Sequence, residues 1–449
     1  MDAAERGVQV VRQLHKVIKG KCPRLFELMS SIADKRKRRD YQVSELVMGA
    51  ISMFLFKETS RNAFNNDRAA RFKANYFKVF RLRLPHMDTV DAFLRLLSPF
   101  ELENLKAALV SGLIEQKVLH RYRLLGRHFL VAVDGTGVTS YEENDAAQTR
   151  IHKKHRGGKV TYYHYVVEAK LVTCSGLAIS LASEWVTNEA GRSFNKQDCE
   201  QRAFERLALK LKKHFPRLPI CLLADGLYPN KTFFKICRNN NWEFVVVLKD
   251  ESLKILQEDI KDVENKNRHS LNTFDRRNKG KTQTERQYEW ITEPLSHASY
   301  AVHWLRCTEI ITNKDKHGKD KAPATTRFVY LTSVEVNKAN IRAIVRAGRS
   351  RWKIENEGFN DQKNGGYEME HKYSRSTFDC FKNYYQCLQI AHIINQLAEH
   401  SLEIAHMLRD SDKLTIKHLW KELISVLTMI VIEEKDIELT SRFQVRLAG

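Results

Sequence analysis

The sequence is poor in the features that mark secreted, zinc-bound or membrane-spanning chains. Its 8 cysteines (Cys22, Cys174, Cys199, Cys221, Cys237, Cys307, Cys380 and Cys387) form no CxxC pair. Cys221 lies inside the apolar run PICLLADG, as expected of a reduced thiol rather than a disulfide or structural zinc ligand. The longest apolar run, LISVLTMIVI at 423–432, is ten residues, about half of what a bilayer-spanning helix needs. The opening residues lack the basic-then-apolar order of a secretory signal. A soluble, cytoplasmic chain is the expectation. Only 8 prolines occur in 449 residues, with no internal repeat or long low-complexity tract, so the parts are expected to pack into one body. Acidic residues are in deficit too: 54 Asp+Glu stand against 75 Lys+Arg, a net charge of +21. That balance calls for a polyanionic partner. It favours nucleic acid over the ribosomal or membrane-surface roles that share it.

The charge is unevenly placed. Residues 1–126 carry 24 Lys+Arg and 13 Asp+Glu and read as helical, with segments such as SELVMGAISMFLF (44–56). Their densest basic run, KRKRRD at 35–40, offers Lys35, Arg36, Lys37, Arg38 and Arg39 as phosphate contacts; the alternative is a solvated loop. The texture changes at HFLVAV (128–133), an apolar strand ending on Asp134. VTYYHYVVEAKLVT (160–173) and GLAISLASEWV (176–186) follow as β-rich runs. A helix is expected from Lys196 to Lys213, then the strand PICLLA (219–224) ending on Asp225, the helix NKTFFKICRNN (230–240) and the strand EFVVVL (243–248). Three strands, helix, strand, helix, strand make a largely covered mixed α/β sheet. Residues 251–338 read as a β-rich insertion, 339–375 as the return to the core, and 376–449 as a helical C-terminal region. The histidines of RIHKKHRGGK (150–159) have no metal-like partner set and read as a mobile basic loop.

Asp134 and Asp225 each end a buried strand and each precede a glycine. Asp-Gly is a common turn pair, so either one alone can be merely a turn. If the two strands are parallel neighbours, the carboxylates emerge side by side. Two anions that close repel unless a cation lies between them. Hard oxygen ligands suit Mg²⁺ or Mn²⁺, and a third carboxylate would complete a two-ion site for phosphoryl transfer. The stretch RWKIENEGFNDQ (351–362) supplies one. As a helix it places Arg351 and Glu355 on one face, with Trp352, Ile354 and Phe359 inward. The alternative is a plain intrahelical ion pair. Glu357, two positions on, would point about 200° away from Glu355.

An Asp at a first strand end, an Asp after a fourth strand, a β-rich insertion and an Arg-Trp-x-Ile-Glu helix together resemble the DDE transposases of bacterial insertion sequences. The closest branch is the one with a Tyr-Arg-Glu-Lys signature, insertion-sequence family four. The resemblance covers about residues 125–375. It implies a ribonuclease-H-like core (first part 127–250) and a basic N-terminal DNA-binding domain. It also implies Asp134, Asp225 and Glu355 as ligands of two Mg²⁺ (or Mn²⁺) ions, and Arg351 on a phosphate. The partners implied are the double-stranded terminal inverted repeats of an element and its target DNA. A dimer or larger oligomer on DNA, associated with a bacterial nucleoid, is implied as well. A nuclease of the same fold and a catalytically silent DNA-binding relative remain alternatives. Two positions depart from the signature: residue 348 is Gly where tyrosine belongs, and Gln362 takes the lysine's place, with Lys363 beside it. A bulge at Gly358 would bring Lys363 round to the DNA. In related hairpin-forming enzymes, aromatic residues of the insertion hold a flipped base, which makes Trp304 the candidate here and Trp290 the second.

Overall fold

The computed structural model describes the chain apart from residues 143–148, 189–197, 278–280, 298, 316–317, 375, 411–412, 439–444 and 449, and backbone alone at 265, 266 and 438. Its strands are β1 (Phe129–Tyr141), β2 (Ile151–Lys154), β3 (Val160–Val172), β4 (Ala178–Val186), β5 (Ile220–Ala224), β6 (Glu243–Val247), β7 (Arg268–Arg277), β8 (Thr282–Ile291), β9 (Leu295–His297), β10 (Tyr300–Asn313) and β11 (Ala324–Thr332). All belong to one mixed sheet, ordered β2-β3-β1-β5-β6-β11-β10-β8-β7, with β4 added to β3 and β9 to β10. With its many helices, this makes the chain a mixed α/β protein.

The centre of the sheet is parallel. β1 pairs with β5 from Phe129↔Ile220 to Ala132↔Leu223, and β5 pairs with β6. Parallel neighbours need a crossover, here supplied by the helices Glu200–His214 and Lys231–Asn240. The first of these buries Ala203, Phe204, Leu207, Ala208 and Leu211, one stripe at helical spacing. It starts at Glu200; Lys196, where the sequence places its start, lies outside the described residues. All five residues of β5 are buried, because helices leave neither face to solvent.

Four strands, not three, precede the first crossover. Ile151–Lys154, read from sequence as part of a mobile basic loop, is the strand β2 and pairs antiparallel with Val160–Tyr163. The intervening turn uses Gly158 at φ +82°, a conformation that costs glycine little. The β-rich stretch after β6 does not stand apart from the core either. Tyr330, Leu331 and Thr332 of β11 pair with Val247, Val246 and Val245. They complete a hydrogen-bond row that would otherwise be an open sheet edge.

The N- and C-terminal helical regions share one core. The helix Phe378–Glu399 is buried along nearly its whole length. Asn75 Nδ2 donates to the carbonyls of Leu427 at 2.9 Å and Ile430 at 2.6 Å. Asn395 and Trp420 both donate to the carbonyl of Leu55. Among the described residues no helix is long and apolar enough to cross a membrane.

Candidate active site at the strand ends

The β1–β5 register, continued two residues past Ala132↔Leu223, sets Asp134 beside Asp225. Asp134 Oδ1 accepts from the Gly135 N–H at 2.9 Å. Asp225 Oδ1 accepts from the Leu227 N–H at 2.8 Å, and its Oδ2 lies 3.2 Å from Lys249 Nζ. The turn reading holds for Asp225 alone: β1 does not end at Asp134, as the sequence suggested, but runs on to Tyr141 because its pairing with β3 continues past the point where β5 stops, with Asp134 opposite Glu168. Each carboxylate keeps an oxygen for a longer-range partner.

That partner for Asp134 comes from a helical segment that is not a regular α-helix. The chain runs from the α-helix Ile341–Arg349 through a 3₁₀ turn at Ser350–Trp352 into a π-helix at Ile354–Asn360, returning to α at Asp361–Asn364. Such π segments widen a helix locally and recur at functional sites. Arg351, only 6 % exposed, donates from Nη1 to Asp134 Oδ2 at 3.1 Å and pairs with Glu355 Oε1 at 2.8 Å. One guanidinium therefore joins β1 and the helix. Asp134 is pushed up to about 7 by burial and by its hydrogen bond to Glu355, against the lowering pull of Arg351 and the Gly135 N–H.

Asp225, Arg351, Trp352 and Glu355 face one cavity of about 750 Å³, together with Lys249, Arg327 and Tyr330. It pairs anionic oxygen donors with cations suited to phosphate. Among the described residues no three His, Cys, Asp or Glu side chains are drawn together tightly enough to grip a metal ion. The geometry gives the reason: Arg351 stands between Asp134 and Glu355, and Lys249 holds Asp225. The donor set is all-oxygen and suits a hard divalent cation. Closing on one requires those two side chains to yield.

Several sequence expectations change. Trp352 does not face inward; it is 51 % exposed at the cavity, while Ile354 and Phe359 are buried. Trp304 is only 3 % exposed, packed in β10 beneath Arg306, and Trp290 is buried against His269. Neither offers a ring face to a base. The bulge at Gly358 exists, as part of the π-helix, but Lys363 pairs with Glu370 at 2.8 Å and is not among the cavity residues. The cause is Gln362, fully buried and donating to Gln389 at 2.8 Å. Within the basic run, Arg36 is held by Asp34 and the Tyr41 carbonyl, and Arg39 reaches Asp34 at 3.5 Å. Lys35, Lys37, Arg38 and Arg39 are exposed.

Sequence reasoning missed two groups. A Cβ at Gly348 would come within 2.6 Å of the Tyr330 ring, so β11 delivers an aromatic to the place where the helix lacks one. Nothing local to residue 348 could reveal that. The second group is Glu200, which accepts from Tyr165 and Tyr228 beside the strand ends. No protein-family model matches this chain, and no curated protein is similar to it. A cryo-EM structure of piggyBac transposase in a synaptic complex with hairpin DNA matches 97 % of this chain and 84 % of its own, at 10 % identity and a TM-score of 0.39.

Proposed function

We propose that this protein is a DDE transposase related to insertion-sequence family four, with a ribonuclease-H-like core that cuts and joins double-stranded DNA at the terminal repeats of an element. The observation that carries the reading is that Arg351 bridges Asp134 and Glu355, where the parallel β1–β5 pairing ends and Asp225 follows β5. Asp134, Asp225 and Glu355 would hold two Mg²⁺ (or Mn²⁺) ions, which when bound activate a hydroxyl and stabilise the leaving oxygen. The rest is the chain's own work. Arg351, planar and buried, is suited to a bidentate grip on a phosphate once it leaves the carboxylates. Lys249 and Arg327 line the same cavity and would steady the DNA backbone on either side of the scissile bond. The exposed part of the basic run would add contacts on the duplex, with the protein acting as a dimer or larger oligomer.

The test is incubation of the chain with Mg²⁺ and DNA bearing the repeats that flank its coding frame. Nicking followed by strand joining is the expected result. Nicks without joining would make it a nuclease of the same fold, and binding without cleavage would make it a silent relative.

A further inference from the structure

Beside the strand ends lies a carboxylate that the proposed chemistry leaves unused. Glu200 opens the helix Glu200–His214. Its Oε2 accepts from the Tyr165 hydroxyl at 2.8 Å and its Oε1 from the Tyr228 hydroxyl at 2.6 Å. These tyrosines belong to different neighbours of the site. Tyr165, on β3, pairs in register with Gly137 of β1, and its ring covers Gly135 so closely that a Cβ there would collide with it. Gly135 directly follows Asp134. Tyr228 is 1 % exposed and sits in the loop after β5, where its N–H donates to the Asp225 carbonyl at 3.2 Å. The next residue of the helix joins in: Gln201 Nε2 donates to the Leu227 carbonyl at 3.1 Å. Burial, then Glu200, then the charge of Asp134 raise both tyrosines, so both keep the protons they donate.

We infer that Glu200 is a positioning residue: by accepting hydrogen bonds from Tyr165 and Tyr228, it fixes the spacing between Asp134 on β1 and Asp225 in the loop after β5. A parallel pair is anchored along its length by backbone hydrogen bonds, but the β1–β5 register stops at Ala132↔Leu223. Beyond it Asp134 is still held in β1 by its pairing with β3, while Asp225 lies in the loop after β5, so their spacing depends on what ties that loop to β3. A single acceptor shared by a hydroxyl from each side is such a tie. The inference rests on the reading of these aspartates as cation ligands.

The test uses the full chain, with Mn²⁺ binding followed by electron paramagnetic resonance and Mg²⁺-dependent nicking followed in parallel. The double variant Tyr165→Phe/Tyr228→Phe keeps both rings and removes only the hydroxyls. It is expected to weaken Mn²⁺ binding and to lower kcat for nicking by about 100-fold with KM for DNA unchanged, the scale of a misplacement of about 1 Å. Glu200→Ala should match it. Glu200→Gln, whose amide can still meet both hydroxyls, should recover a large part of both. If Glu200→Ala does not fold, the double Phe variant decides. A wild-type chain that binds no Mn²⁺ overturns the reading of the site itself. A wild type that binds, with a double Phe variant that binds equally well, overturns the tie alone. A Glu200→Gln chain as weak as Glu200→Ala beside an unaffected double Phe variant also overturns it, since the charge of Glu200 would then act directly.

Discussion

Asp134 and Glu168 face each other in register across β1 and β3, yet they belong to clusters of opposite character. Glu168 is fully buried and closed off: it accepts from Ser180 at 2.7 Å and Tyr385 at 3.0 Å and lies 3.6 Å from Lys170 Nζ. Lys106, also fully buried, donates to Ser180 and Ser183. Lys170 reaches on to Gln389, which holds Gln362 beneath the π-helix. Asp134, by contrast, shares one guanidinium with Glu355, and that guanidinium and Glu355 face a cavity together with Asp225. Both clusters combine carboxylates with basic side chains. The inner one has each charge matched by fixed donors or acceptors, as a buried network must. The outer one has carboxylates to spare and room for a ligand. Surplus anionic oxygens facing a cavity, and not charge as such, separate a candidate site from scaffolding.

The sharpest way to break the comparison is to neutralise one charged side chain in each cluster. Glu355→Gln keeps shape and removes one anion from the outer cluster. DNA cleavage should fall by at least about 10³-fold, the scale seen when one member of a catalytic set is lost. Circular dichroism and terminal-repeat binding should stay near wild type. Asp134→Ala and Asp225→Ala should behave alike. Melting of the fold in place of loss of cleavage would return these aspartates to the turn role.

Lys170→Met cuts the inner cluster and should instead act on stability. Removing one partner of a buried pair strands Glu168, at a cost of about 3–5 kcal/mol in denaturant unfolding. The pH dependence carries a sign. Burial lowers Lys170 to about 8, in spite of Glu168, whereas an unfolded lysine titrates near 10.4. Between those values the unfolded chain binds the extra proton, so this group's contribution to stability rises with pH. Wild type should therefore gain on Lys170→Met between about pH 8 and pH 10, the window those two values set. A constant gap would show that Lys170 titrates normally.

How far these clusters can be read from the chain depends on what neighbours reveal. The pairing of the Asp134 and Asp225 strands was legible because HFLVAV and PICLLA are apolar runs of the kind that central parallel strands require. The i, i+4 spacing of Arg351 and Glu355 was legible as well. Gly358 marked a bulge, but its consequence was not legible: a Cβ there would lie 3.1 Å from Cδ of Lys170, and the burial of Gln362 that turns Lys363 away is set by Gln389, both nonlocal. Glu168 and Lys170 hid inside VVEAKLV, which reads as a strand whichever way its charges point. The tryptophans exchanged roles for the same reason: the burial of Trp304 and the exposure of Trp352 depend on what packs above each.

A smaller effect tests the basic run, whose five cations look equivalent in sequence but are divided by the structure. Changing Lys35, Lys37 and Arg38 to Ala should flatten the log–log salt dependence of DNA binding, by about 0.9 for each phosphate no longer neutralised. Arg36→Ala should leave that slope unchanged and lower thermal stability, because it frees Asp34 and the Tyr41 carbonyl. A slope unmoved by the triple change would mean that the exposed run is solvated surface.

The smallest effect belongs to Glu357, and it separates the two glutamates of the π-helix. Glu355 faces the cavity of Asp225 and Arg351. Glu357 pairs with Lys353 and lines a different cavity, with Asn360, Asp361 and His400. Two residues apart on a helix, even one locally widened, they cannot serve the same site. Its partner is one turn away and the pair is partly exposed, so Glu357→Gln removes an interaction worth about 0.3–0.5 kcal/mol. Mg²⁺-dependent cleavage should stay within about twofold of wild type, since that energy corresponds to no more. The pairing should survive in reverse too: Lys353→Gln should leave cleavage equally untouched. A dead Glu357→Gln beside an active Glu355→Gln would mean that the helix presents its other face to DNA, and the site would have to be rebuilt around Glu357, Asp361 and His400.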